Sequence, residues 1–170
     1  MKDFLSFARE RYSVRAYSEK SVEDEKIDLI IEAALAAPTA CNYQPQKILI
    51  VKSEEKRRLL AELSPCTFNA PVVFVICADE NIAAKRGEER SFGETDAAIA
   101  CTHMMLEAYE LGLGSCWVGR FNPEEVKKAL DLPENIKVWN LLPVGYAAPG
   151  AEPFALHSKS RTADEVAEII

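Results

Sequence analysis

Arg11, Ser13 and Arg15 alternate in the stretch Arg11-Tyr12-Ser13-Val14-Arg15. In extended backbone, alternate side chains leave the chain on one side, so two guanidinium groups and a hydroxyl share a face. That trio suits a phosphate or another anion, because guanidinium forks match its oxygens. Taken alone, the motif is better read as a solvated basic turn. Lys159-Ser160-Arg161 repeats the alternation at the other end of the chain. Two such clusters in an acidic chain point to convergence on one phosphate, since four neighbouring cations are costly without an anion. The competing reading pairs each cluster with surface Asp or Glu.

A third feature is Pro38-Thr39-Ala40-Cys41-Asn42-Tyr43-Gln44-Pro45, set against Gly114-Ser115-Cys116-Trp117-Val118-Gly119. One stretch offers hydroxyl and amide groups, the other exposed backbone beside a large aromatic. A planar heteroaromatic ligand with polar edges needs that mixture. The commoner fate of Trp117 is a core position.

Other chemistries find no support. Gly112-x-Gly114 lacks the third small residue of a dinucleotide loop, Trp117 standing there, and it joins a helix to a strand rather than the reverse. Gly114 and Gly119, like Gly145 and Gly150, have phosphate-loop spacing but no Lys-Ser/Thr after it. His103 and His157 share no metal-ligand pattern, and nothing picks out a Cys–His nucleophile.

The bulk properties narrow the classes further. The chain has 170 residues, 48% hydrophobic and 28% charged, which fits one globular domain over residues 1–170. A net charge of −7 opposes nucleic-acid binding. No apolar run is long enough to span a bilayer, and the first residues lack the apolar core of a secretory signal. Cys41, Cys66, Cys77, Cys101 and Cys116 are odd in number, irregular in spacing and without a CxxC pair, which argues against a disulfide framework and a zinc site. A reducing cytoplasm fits best.

The elements that must position these groups follow from periodicity. Residues 2–11 read as a short helix with Phe4, Leu5 and Ala8 inward. Ser21 and Asp24 approximate a capping box before Ile27, Ile30, Ile31, Ala34 and Leu35, and Pro38 stops that helix. Residues 47–52 form a buried strand, and Ser53 caps a helix to about Leu63. The unbroken apolar run of residues 72–77 predicts a central strand buried on both faces. Residues 78–92 read as a mobile connection or small lid. The longest helix, 93–111, carries a stripe of Ala97, Ala98, Cys101, Met104, Met105 and Ala108, which packs on the sheet or, in the sharper reading, on a second copy. A third strand follows near residue 115, Asn122-Pro123 starts a helix, and residues 138–147 give a last core strand. The alternation predicts a three-layer α/β or α+β domain.

Taken in order, the stretches RYSVR, APTACNYQP, NAPVVFVICAD, DAAIACTHMMLEAYELGLGSCWVG, LLPVGYAAP and the KSR tail resemble the nitroreductase family of flavoproteins over nearly the whole chain. The resemblance implies an α+β fold, an α/β/α arrangement around a mainly antiparallel mixed sheet, and FMN between the two protomers of a homodimer. It implies Arg11, Lys159 and Arg161 on the phosphate, with Tyr12 and Ser13 close by, and Arg15 at the pyrimidine edge of the flavin. Pro38, Thr39 and Ala40 come from the other subunit, with Asn42 and Gln44 near the site. The backbone of Trp117, Val118 and Gly119 lies against the ring and offers N–H to it. NADH or NADPH delivers hydride to flavin N5, and a small-molecule acceptor such as a nitroaromatic or quinone then takes it in ping-pong fashion, with no protein acid or base required.

The chain departs from the family pattern at Thr39, where Ser is commoner, at Gln46, where Trp is usual, and in the shortness of residues 78–92. Two alternatives stay open: a flavin-sequestering protein or dehalogenating relative without nitroreductase turnover, and a non-flavin anion-binding module.

Overall fold

In the computed structural model, which describes residues 3–87 and 90–170, Asp3 caps α1 (Phe4–Glu10) by accepting the Ser6 N–H at 3.0 Å. The start expected at Lys2 lies outside the described residues. Next come α2 (Asp24–Ala36), β1 (Gln46–Val51) and α3 (Glu54–Leu63), the last capped by Ser53 as its sequence predicts. β2 (Val72–Asp79) leads into a hairpin of β3 (Lys85–Arg86) and β4 (Arg90–Ser91), then α4 (Gly93–Glu110). β5 (Gly114–Ser115), α5 (Pro123–Ala129), capped by Asn122 with Pro123 in its first turn, and β6 (Ile136–Gly145) complete the regular elements.

The main sheet has the order β1-β2-β6-β5, every neighbouring pair antiparallel. A single parallel bridge joins Ser13 to Ser115 on its β5 edge. Val72, Phe74 and Ile76 of β2 face α2 and α4 in one apolar cluster, whereas Val73, Val75 and Cys77 face Leu60 of α3 and Val126 of α5 in another. The result is three layers with the sheet in the middle. Because β2 is covered on both faces, seven of its eight residues are buried, as an unbroken apolar run requires. Each fully buried aliphatic side chain there contributes about 1.5–3 kcal/mol.

Several local expectations give way to tertiary packing. The Ser21–Asp24 box does not form; Glu23 is the N-cap of α2 and makes no side-chain cap bond. Phe4 and Leu5 point outward, 68% and 60% exposed, because α1 docks through Phe7, whose ring lies 5.1 Å from that of Tyr109. Leu35 and Ile50 are also exposed, the latter on the edge strand β1. Residues 78 and 79 finish β2, and in the connection after them, of which residues 88 and 89 lie outside the described residues, Ala83 and Ala84 are buried and β3 pairs with β4. Ala97, Cys101, Met104 and Ala108 pack on α2 and the sheet, while Ala98 and Met105 are half-buried. Beside them Phe4, Phe7, Ala33, Ala36, His103 and Leu106 line an open groove of about 860 Å³.

Candidate functional site

The groups singled out by sequence gather at two corners of the sheet. At the first, the 11–15 segment runs along the free edge of β5: the Val14 N–H donates to the Ser115 carbonyl at 2.9 Å. Val14 is 2% exposed and fills the space that a side chain on Gly114 would need. With Val14 turned inward, its neighbours Ser13 and Arg15, and Arg11 beyond them, act together on the Cys116 thiol. Burial pushes that thiol up, while the Arg15 charge, the Ser13 hydroxyl and the Arg11 charge pull it down. All three therefore lie near Cys116, but Arg11 lines a cavity with Tyr12 and Val14 while Arg15 is exposed.

Arg11 is the most constrained of these cations. Burial lowers its pKa, and its Nη1 is buried with no hydrogen-bond partner. Beside it lies a cavity of about 190 Å³, lined also by Tyr12, Gly112 and Ser115. An unmet buried donor costs about 1–3 kcal/mol, more when charged, so the corner lacks an anionic acceptor. Arg15 is exposed; its Nη1 donates to the Ser13 carbonyl and its guanidinium lies 5.4 Å from the Phe154 ring centroid.

The tail reaches this corner. The Tyr12 hydroxyl donates to the Ala151 carbonyl at 3.1 Å, and its ring meets that of His157 edge-on at 6.2 Å. Lys159 follows two residues later and is exposed. Arg161 is exposed, and its Nη2 donates to the Glu165 carbonyl within the tail itself.

Trp117 is 42% exposed, against the commoner core fate, while its neighbours Cys116 and Val118 are buried. The N–H groups of Cys116 and Val118 both donate to β6, at Pro143 and Leu141. In extended backbone successive N–H groups alternate, so those of Trp117 and Gly119 point to the opposite, open edge, the one that the 11–15 segment borders. Val118 N–H is thus spent in the sheet, leaving Trp117 and Gly119 as the available backbone donors.

The second corner holds the 38–45 loop. Cys41, Asn42 and Gln44 have φ of 56°, 54° and 52°, a left-handed conformation that costs a non-glycine residue about a kcal/mol or more. The loop closes on itself: the Gln44 N–H donates to Thr39 Oγ1 at 3.0 Å and Gln44 Nε2 to Asn42 Oδ1 at 3.1 Å. Pro38, Asn42 and Gln44 are exposed, with Thr39 and Ala40 half-buried. One bond ties it to α4: the Ala40 N–H donates to Asp96 Oδ1 at 2.9 Å. Asp96 is 1% exposed, and its Oδ2 has no partner. Sequence reasoning passed over this residue, although it sits in helical register with the buried Ala100, Met104 and Ala108. A carboxyl on an apolar stripe was the available signal.

The two corners are far apart within one chain. Gln46, at the end of the loop, pairs with Ala78, which pairs with Lys137. Ser115 pairs with Val144, near the other end of β6 and on the opposite edge of the sheet. Seven residues along β6 and three strand spacings make a diagonal of about 28 Å. Helix α4 has a similar length: its 18 residues extend ~27 Å, from Gly93 beside Ala78 to Glu110, shortly before β5.

Comparison with known proteins adds to this geometry. A family model described as "Nitroreductase family" matches residues 8–66 and 63–146. The chain is 34% identical over 155 residues to a "Putative NADH dehydrogenase/NAD(P)H nitroreductase" of Archaeoglobus fulgidus, covering 86% of each chain. A solved nitroreductase family protein of Clostridium difficile superposes with a TM-score of 0.90 at 32% identity, covering 98% of both chains. A structure described as an FMN-dependent nitroreductase, also from Clostridium difficile, matches with a TM-score of 0.78 at 28% identity over 96% of this chain and 94% of that one.

Proposed function

The chain belongs to the nitroreductase family, and on that premise we propose that two copies share two FMN molecules and act as an NAD(P)H-dependent oxidoreductase. The observation that carries the shared site is the separation of the two corners: neither half completes a site in its own chain, and a two-fold partner brings each 11–15 segment to the other chain's 38–45 loop. The apolar groove beside α4 is the face that the second copy covers.

The residues fit FMN. Arg11 holds a buried donor in need of an anionic oxygen, which the phosphate supplies. Ser13 and Tyr12 flank it, and Lys159 and Arg161 would join them from the tail, Arg161 by releasing the Glu165 carbonyl. Trp117 and Gly119 direct N–H groups at the ring, with Val118 holding that backbone on the sheet. Pro38, Thr39, Ala40, Asn42 and Gln44 are the partner's contribution. Bound there, FMN would supply hydride chemistry at N5, between NADH or NADPH as donor and a nitroaromatic, quinone or similar acceptor. The protein supplies orientation, a cation and an open face used in turn by donor and acceptor, which predicts ping-pong kinetics. Five free cysteines support a cytoplasmic setting.

The test is the purified protein's own spectrum and mass. A yellow dimer with about one FMN per chain, oxidising NADH or NADPH with a quinone acceptor, supports the reading. A colourless monomer indifferent to added FMN overturns it, and a yellow dimer without turnover reduces it to flavin binding.

Arg15 has a separate role, as the cation at the pyrimidine edge, where negative charge gathers on reduction. Arg15→Ala therefore retains FMN but lowers its reduction potential by on the order of 30–60 mV, the equivalent of one charged hydrogen bond for a two-electron couple. A potential equal to that of the wild type in a spectroelectrochemical titration removes Arg15 from that edge.

A further inference from the structure

We propose that Asp96 is the positioning residue that sets the 38–45 loop for the shared site; this rests on the FMN reading above. Three non-glycine residues of the loop are in the left-handed region, so its shape depends on contacts that hold it there. The loop's internal bonds, from Gln44 to Thr39 and to Asn42, define its curvature but not its place on the protein. Two bonds fix its place. At one end the Asp79 N–H of β2 donates to the Pro45 carbonyl at 2.8 Å. At the Thr39–Ala40 end the Ala40 N–H donates to Asp96 Oδ1, a side chain that is itself buried in the first turns of α4.

Position decides more here than it would in an ordinary surface loop. The loop serves a site completed by another chain, so a displacement at Asp96 moves Thr39 and Ala40 relative to a ligand held mainly by the partner's cations. Asp96 touches no ligand in this scheme. It acts through Ala40, and its unpartnered Oδ2 leaves that one bond as its link to the loop.

The side chain needed is an acceptor of the right length rather than a charge. Asp96→Asn retains a carbonyl oxygen at the Oδ1 position, whereas Asp96→Ala removes it. Asp96→Ala weakens FMN binding about tenfold or more in fluorescence titration of the dimer, and Asp96→Asn stays within about threefold of the wild type. If Asp96→Ala does not fold, Ala40→Pro carries the same test, because it deletes the N–H and keeps the carboxyl; the extended backbone of Thr39 accepts a following proline.

A second measurement separates positioning from general weakening. In mixed dimers, an Asp96→Ala chain regains tight FMN binding at one site when paired with a chain lesioned at Arg11, and regains none when paired with a chain lesioned at Thr39. Wild-type-like affinity in Asp96→Ala, or equal recovery with both partners, overturns the proposal. Failure of the wild-type protein to bind FMN overturns instead the reading on which it rests.

Discussion

Mixing an Arg11→Glu chain with a Thr39→Glu chain restores about a quarter of the wild-type activity, although each variant alone is inactive. Each substitution sets a carboxylate against a phosphorylated ligand. Arg11→Glu also removes the buried guanidinium whose Nη1 lacks a partner, and Thr39→Glu removes the hydroxyl that accepts the Gln44 N–H. In a homodimer of either variant both sites carry one lesion. Random exchange makes about half the dimers mixed, and in each mixed dimer one site collects both lesions while the other collects neither. The intact sites then number about a quarter of the wild-type total. Were each site built within one chain, mixing would restore nothing. Activity and bound FMN are read after unfolding, mixing and refolding the two chains together, with each variant refolded alone as the baseline. Absence of any recovery, with mixed dimers verified by mass, would rule out a shared site.

Gly114→Ala abolishes tight FMN binding for a steric reason. A Cβ at Gly114 falls 2.5 Å from Val14 Cγ2 and 2.8 Å from Val14 Cβ, inside any real contact distance. Val14 is 2% exposed and cannot swing into solvent, so the backbone that carries Ser13 and Arg15 must move. Overpacking of this kind costs about 1–3 kcal/mol of stability. The larger effect falls on the ligand, because a shift of about 1 Å in the 11–15 segment misplaces Arg11, Ser13 and Arg15 together; FMN affinity drops by on the order of a hundredfold. Val14→Gly in the same chain removes both Cγ2 and the Cβ that lies 2.8 Å away, and recovers most of the loss, which separates the clash from any other effect of the methyl group. Gly114→Ala with unchanged FMN affinity, or without rescue by Val14→Gly, would show that the segment does not depend on this packing.

Some of this protein was legible in one dimension. The run of residues 72–77 could only be a strand covered on both faces, and it is β2. The caps at Ser53 and Asn122 are local chemistry, decided within a few residues, and both form. The alternation of Arg11, Ser13 and Arg15 is a local pattern, and the structure seats Val14, within it, in the core. The order of the family's motifs likewise lies in the chain itself, and the family model matches over most of the same residues.

Other features had no local signature. Ser21 and Asp24 have the residue types of a capping box, yet the chain enters α2 through Glu23. Phe4, Leu5 and Leu35 have helical spacing, yet they stay exposed because none of the described residues covers that side of α1 and α2. Apolar periodicity tells which residues share a face and says nothing about whether a neighbour is there to cover it. Asp96 was missed for a related reason: its bond to Ala40 joins residues far apart in sequence, and its buried position depends on α4 lying over the sheet.

What the amino-acid order determined, then, was the kind of chemistry and the identity of most groups that could carry it, since alternation, capping and apolar runs act over a few residues. Only the tertiary structure decided that these groups fall at opposite corners of one sheet, about 28 Å apart. Strand order and register set that separation, and both arise from contacts between segments that the linear chain keeps apart.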